Sequence, residues 1–304
     1  MKKITLTCVD AGGGHACGLA IGLKKHGQVT TVWQNRNKHG LDYLVPDAKY
    51  GYRKIPYEGD DLIIVSCITF DQLEMFYGRK LKHLIKGYDK VHIIVTDGRY
   101  ARNPDYYNEK FEGFDVITTA CKKHFREPLP VKTYYQPFDL SMFDQTKPDK
   151  IRIAHSPFVP AKFREKGTQK IVEACRGYDL GILTKMPWKR CMELKATAHI
   201  FIDQVDHYDR DKFKFKDFSY VWPALGKSGI EAMHLGCLTI TYGKGYDTDI
   251  PAPPIVWIDD ADQLKGVIDS YMNNKEEISV IAKKQQAWAL KYASYDFQAK
   301  NVLT

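Results

Sequence analysis

No apolar run in the chain approaches the roughly 20 residues that a helix needs to cross a bilayer, so no membrane-spanning segment is expected. The strand-like start, Met1-Lys2-Lys3-Ile4-Thr5-Leu6-Thr7-Cys8-Val9, has too short an apolar run for a signal peptide, and the expected location is the cytoplasm. Cysteine is sparse. The seven thiols, at 8, 17, 67, 121, 175, 191 and 237, lack paired metal spacing and sit mostly in apolar strand or helix patterns, which reads as reduced core thiols. The ten histidines do not cluster either, so the pattern asks for no metal and no metal ligands are assigned. Internal repeats and low-complexity tracts are missing as well.

What the chain does have is enough length and apolar content for two ordinary domains: 304 residues, 44% hydrophobic and 27% charged. Basic residues number 45 against 37 acidic ones, a net charge of +8. Such a balance suits a polyanionic partner, although it serves solubility equally well.

Ile4 to Val9 reads as a buried strand, followed by the glycine turn Asp10-Ala11-Gly12-Gly13-Gly14-His15 and a helix carrying Leu19 and Leu23 that stops at Gly27. Strand, glycine turn and helix make a Rossmann-like beginning, but the spacing is not the dinucleotide fingerprint. Val29 to Trp33 and Leu62 to Cys67 are the next strands, and Lys80 to Lys90 reads as a basic amphipathic helix with its exit. Val91 to Val95 is a strand that ends in Thr96-Asp97-Gly98-Arg99-Tyr100-Ala101-Arg102. Ligand clefts of open α/β sheets lie beyond the carboxyl ends of strands, so Asp97 is delivered to where it could take a proton from an acceptor hydroxyl. The competing reading is that Asp-Gly is merely a turn dipeptide.

Val116 to Thr119 and Val131 to Tyr134 complete a first sheet, and 137 to 150 has the proline and polar content of a linker. Ile151 to His155, Leu180 to Thr184 and Ile200 to Asp203 are strands of a second α/β alternation, with helices over Thr168 to Tyr178 and Cys191 to Thr197. Asp206 to Tyr220 alternates charge with aromatics and reads as a loop or hairpin at a cleft edge, and Glu276 to Thr304 is helical. The stretch from Trp222 to Ile240 is the most informative. The loop Gly226-Lys227-Ser228-Gly229 runs into apolar residues at helical spacing, Ile230, Met233 and Cys237, and then into the strand Leu238 to Tyr242. At such a helix N-terminus the N–H groups of Lys227, Ser228 and Gly229 could receive a diphosphate, and Glu231 lies one turn in, within reach of sugar hydroxyls.

Glu231-Ala232-Met233 with Gly236 and its β-branched run resembles the nucleotide-sugar motif of GT-B glycosyltransferases, in particular the large retaining family that includes sucrose synthases. Two further matches stand upstream in the family's order: Ile153-Ala154-His155-Ser156-Pro157 with Lys166-Gly167-Thr168, and Ile200-Phe201-Ile202-Asp203-Gln204. From the first match to the last they span about a third of the chain. The resemblance implies an α/β protein of the GT-B fold, with two Rossmann-like domains facing across a cleft. It implies an acceptor-side domain over 1–149, a donor domain over 150–285 and a terminal helix over 286–304 crossing back to the first. It implies a metal-independent hexosyltransferase that needs no cofactor beyond its co-substrate, a nucleoside diphosphate sugar expected to be UDP-glucose. Donor contacts carried over are Gly13, Gly14, His15, His155, Ser156, Lys166, Gly226, Lys227, Ser228, Gly229 and Glu231, with Glu231 on the ribose, and Asp97 and Lys166 are the catalytic candidates. The family commonly has another glutamate eight positions before the ribose-binding one, and here that place is Pro223. Proline offers neither carboxylate nor N–H, so Asp203, His207 or Tyr220 is the expected substitute, or the protein binds nucleotide without transfer.

In size and charge the chain is also similar to bacteriophage enzymes that glycosylate hydroxymethylated pyrimidines in DNA. Lys80, Lys82, Lys86, Arg99, Arg102, Lys110 and Lys122 fall in the acceptor-side domain among Tyr100, Tyr106, Tyr107 and Phe111. This mixture suits phosphate contacts and a flipped base, with Arg99, Tyr100 and Arg102 as acceptor contacts. On that reading the partner is double-stranded DNA, the protein a monomer, and the compartment the host cytoplasm. The alternatives are transfer to a cell-envelope glycan, lipid or small molecule, and a nonenzymatic nucleotide-sugar or DNA-binding module.

Overall fold

The apolar runs of the first half become strands of one all-parallel sheet in a computed structural model that describes residues 1–9, 15–35, 44–96, 99–119, 125–158, 166–205, 214–215, 218–219, 225–243 and 249–304. In chain order the elements are β1 (Lys2–Cys8), α1 (His15–Leu23), β2 (Gly27–Trp33), β3 (Lys49–Tyr50), β4 (Gly59–Val65), α2 (Cys67–Tyr77), α3 (Leu81–Lys86), β5 (Tyr88–Val95), α4 (Arg99–Arg102), α5 (Pro104–Lys110), β6 (Val116–Thr119) and β7 (Val131–Thr133). The strand order is β3-β2-β1-β4-β5-β6-β7. Helices on both faces of a parallel sheet bury consecutive residues of its strands, and Leu62, Ile63, Ile64 and Val65 of β4 are all buried. On one face Leu62, Ile64, Val91 and Ile93 pack with Phe70 and Leu73 of α2.

The second half repeats the alternation with β8 (Arg152–Phe158), α6 (Thr168–Ala174), β9 (Asp179–Thr184), α7 (Trp188–Ala196), β10 (Ile200–Ile202), the antiparallel pair β11 (Lys214–Phe215) and β12 (Phe218–Ser219), α8 (Lys227–His234), β13 (Leu238–Tyr242), β14 (Val256–Ile258), α9 (Gln263–Met272) and α10 (Lys275–Tyr292). Its sheet is parallel throughout, in the order β14-β13-β10-β8-β9. The last helix, α11 (Tyr295–Leu303), packs on α1. One compact unit is thus Met1–Phe138 with Asp247–Ile250 and Tyr292–Thr304, and the other is Asp139–Tyr246 with Pro251–Lys291.

Several boundaries differ from the sequence reading for local reasons. Gly27 does not stop α1 but opens β2, where a Cβ would stand 2.4 Å from the Lys2 carbonyl. The strand expected to reach Cys67 ends at Val65, because Ser66 turns to φ 81° and its hydroxyl accepts from the Thr69 N–H, capping α2. That helix is absent from the sequence reading. Lys90 belongs to β5 and not to the basic helix, which closes at Lys86. The terminal helical stretch is two helices, since the Ser294 hydroxyl accepts from the Phe297 N–H and starts α11 anew. The described cysteines are all free thiols, buried except for Cys191, which is partly exposed, and Cys121 lies outside the described residues.

Candidate functional site at the carboxyl edge of the second sheet

In the second sheet the chain leaves β8 for β9 on one side and returns to place β10 on the other. The crevice of an open α/β sheet lies at such a reversal, beyond the carboxyl ends of the two strands. His155 and Ser156 come there from β8, Asp203 directly follows β10, Lys166 and Thr168 enter with α6, and Gly226 to Glu231 come from the loop and first turns of α8.

Asp203 organises the loop. Its side chain is fully buried, with Oδ2 accepting from the Gly226 N–H at 2.6 Å and Oδ1 from the Lys166 ammonium at 2.6 Å. A Cβ on Gly226 would lie 3.0 Å from Oδ2, and one on Gly229 would lie 2.5 Å from Leu225 and 3.2 Å from Oδ2, so the loop keeps glycine at both places because a carboxylate sits against it. Asp203 therefore holds Lys166 and the start of α8 together. Pro223, His207 and Tyr220 lie outside the described residues.

Glu231 is 3% exposed and has protein donors on both oxygens: Trp188 Nε1 to Oε1 at 3.1 Å and Lys195 Nζ to Oε2 at 2.7 Å. Burial alone would push its carboxyl up, but the ammoniums of Lys195 and Lys227 outweigh burial and hold it below the usual range. Lys227 Nζ stands 3.7 Å from Oε1 and is partly exposed. Lys195 and Trp188 are missed by the sequence reading. A signal existed, because Met192, Lys195 and Ala196 share the buried face of α7, so this lysine occupies an inward position of a helical stripe.

One expected donor contact, the His155 side chain, is corrected. His155 is fully buried, with Nδ1 at 2.8 Å from the Ile202 carbonyl and Nε2 at 2.9 Å from Thr168 Oγ1, so it pins β8 to β10 and α6 and has no nitrogen left for a ligand. Ser156 is also buried, its hydroxyl 3.6 Å from the Cys191 sulfur. Burial lowers the pKa of His155 to about 4. A histidine depressed in the folded state binds no proton between about pH 6.5 and 4 while the unfolded chain does, so stability falls as pH drops through that window. The expected loss is roughly 3 kcal/mol at pH 4 relative to pH 7. Urea unfolding at pH 7, 5.5 and 4.5 tests it; His155→Gln should remove this share, leaving the one from His199, whose pKa burial also lowers to about 4.

At the start of α8 the N–H of Gly229 already reaches the Gly226 carbonyl at 3.0 Å. This removes Gly229 from the expected backbone donors.

In the first unit, Gly13, Gly14 and Asp97 lie outside the described residues, as do the side chains of His15 and Arg102. Tyr100 is corrected from an acceptor contact to a core residue: it is 2% exposed, donates to Asn108 Oδ1 at 3.1 Å and stacks on Phe125 at 4.2 Å. Arg99 is half-exposed and paired with Asp71 at 2.8 Å, and Tyr107 donates to the same carboxylate oxygen. Lys110 is paired with Glu74. Three Asp-x-Asp pairs, a spacing that holds metals elsewhere, do occur at 209/211, 247/249 and 260/262. Asp249 accepts from the Thr133 N–H and Asp260 from the Asp262 N–H. Among the described residues no three carboxylate, histidine or cysteine groups converge as a metal site.

No protein-family model and no curated protein matches the sequence. Solved structures match over nearly the whole chain. Anabaena HepE, crystallised with UDP-glucose, superposes with a TM-score of 0.66 at 11% identity, covering 100% of this chain and 98% of HepE. An alpha-glucosyltransferase in complex with UDP and a 13-mer DNA containing an HMU base gives 0.63 at 11% identity, covering 98% and 97%. Sucrose-phosphate synthase from Thermosynechococcus elongatus gives 0.62 at 12%, covering 99% and 97%. With two parallel Rossmann-like units in series and these likenesses spanning both, the chain has the GT-B fold.

Proposed function

We propose that the chain is a glycosyltransferase that moves a sugar from a UDP-sugar, such as UDP-glucose, to a hydroxymethylpyrimidine of DNA. One observation carries the donor half: at the strand reversal of the second sheet, Asp203 ties Lys166 to the start of α8, the helix that carries Glu231. Solved neighbours that hold UDP or UDP-glucose support this, and one that also holds DNA supports the acceptor half.

Transfer leaves negative charge on the departing diphosphate, so a fixed cation and a helix start stabilise the transition state beyond the ground state. Lys166 suits this as held. Of the three ammonium donors, Asp203 engages one at Oδ1 and one, at 3.4 Å, at its carbonyl, which leaves a third for a phosphate oxygen. Lys227 adds a second cation, and Glu231 takes the ribose hydroxyls on its remaining lone pairs. Asp97, at the carboxyl end of β5, is the proposed base, and no metal is needed.

Calorimetry should show UDP binding, and Lys166→Ala should weaken it about 10- to 100-fold, roughly 1.4–2.8 kcal/mol. Labelled UDP-glucose with hydroxymethylated duplex should yield DNA of increased mass, at the same rate in EDTA. Asp97→Ala should abolish transfer and leave UDP affinity unchanged. Duplex affinity should fall steeply with salt. No duplex affinity at low salt overturns the DNA acceptor and leaves a glycan, lipid or small molecule. Pro223 in place of a glutamate favours a second reading, a nucleotide-sugar binder without transfer. Binding of UDP-glucose with neither transfer nor hydrolysis would establish it.

A further inference from the structure

Lys195 is a charged group that the proposed donor chemistry does not use, and it is fully buried. Its ammonium donates to Glu231 Oε2 at 2.7 Å and to the Ser228 carbonyl at 3.2 Å, and lies 4.7 Å from the centre of the Phe201 ring. With two donors used and the third side against an aromatic face, it has no direction left for a ligand. Trp188 Nε1 holds the other oxygen of Glu231 at 3.1 Å. Each carboxylate oxygen has two acceptor directions and one hydrogen-bond donor, with Lys227 Nζ beyond hydrogen-bond distance at 3.7 Å from Oε1, so both keep one, which matches the two hydroxyls of a ribose cis-diol. Lys195 also ties the Ser228 carbonyl, in the first turn of α8, to the same carboxylate.

We infer that Lys195 is a positioning residue for ribose recognition: it holds Glu231 ionised and in one orientation, and the ribose selectivity of the donor site passes through this buried pair. The inference rests on the donor site proposed above. Without the Lys195 ammonium, the buried carboxyl is left with Lys227 at 3.7 Å and Trp188 on Oε1, so its ionised form is less favoured, Oε2 loses its anchor and acceptor capacity toward the diol falls. Arginine in its place keeps the charge but presents a planar fork of different reach, so it restores the function only in part.

The test is calorimetric binding of UDP and of 2′,3′-dideoxyuridine diphosphate to the wild-type chain, Lys195→Met, Lys195→Arg, Glu231→Gln and the Lys195→Met/Glu231→Gln double variant, with folding checked by circular dichroism. Wild type should prefer UDP by about tenfold or more. Lys195→Met should bring the two affinities within about threefold of each other by weakening UDP alone, with Lys195→Arg intermediate. The double variant should bind both ligands as Glu231→Gln does, because Lys195 acts only through the carboxylate. Equal weakening of both ligands by Lys195→Met, or an unchanged preference, overturns the inference while the donor site stands. If Lys195→Met does not fold, the comparison of Glu231→Gln with the double variant decides, and a further tenfold loss in the double overturns the inference. A wild-type chain that binds neither ligand overturns the donor site itself.

Discussion

Replacing Glu231 with alanine is expected to destabilise the protein by about 3–5 kcal/mol and to remove measurable UDP binding at the same time. The stability loss comes from Lys195: its fully buried ammonium would keep only the Ser228 carbonyl and the Phe201 ring as partners. Trp188 Nε1 would lose its acceptor as well. A large share of the effect is therefore structural, and loss of activity in this variant says little about the ribose. Glu231→Gln keeps an oxygen for one of the two donors and should cost less. The Lys195→Met/Glu231→Gln double variant removes both charges and should recover most of the stability, since a buried pair is costly to break and cheap to replace whole. Urea unfolding of the three variants measures this. A double variant less stable than Glu231→Ala would show that the pair itself is a net source of stability.

Gly22→Ala is expected to destabilise the first unit by about 3 kcal/mol or more, the upper end of overpacking costs. A Cβ at this position would stand 2.1 Å from the Tyr295 carbonyl oxygen and 3.0 Å from the Ala299 Cβ, while one at Gly18 would stand 2.7 Å from the Pro137 carbonyl and 2.7 Å from the Tyr295 ring. The two glycines are one helical turn apart on α1 and form the flat face that α11 lies against. Since the obstacle at Gly22 is backbone, relief requires α11 to move as a whole. Protease accessibility of the terminal helix should rise in Gly22→Ala, together with a fall in thermal midpoint of several degrees. A variant with the wild-type midpoint would mean that α11 contributes little to the unit.

The strand and helix alternation was legible in the chain because period and apolar content are local properties. β6 and β13 run as read, Val116–Thr119 and Leu238–Tyr242, and the two-sheet α/β class follows from the same patterns. What failed locally did so for side-chain reasons invisible to periodicity. Ser66 ended β4 by taking a positive φ and capping α2, and Gly27 served close strand packing where a helix stop was expected.

The candidate site shows the same division. The helix start after Gly226, with Glu231 one turn in, was readable from spacing alone, and α8 begins there at Lys227. The partners were not: His155 turned out to be saturated by Ile202 and Thr168, Lys166 is held by Asp203, and Glu231 is clasped by Lys195 and Trp188 from a different helix.

The sequence by itself determined the class of fold and the position of the glycine-rich helix start, since both are written in short-range spacing of apolar, glycine and capping residues. Which charged groups are free to meet a ligand, and which are used up by one another, was decided only by the tertiary structure. The physical reason is that desolvation and pairing depend on elements brought together from 30 to 40 residues apart, as Asp203 with Lys166 and Lys195 with Glu231 are. No local pattern carries that distance.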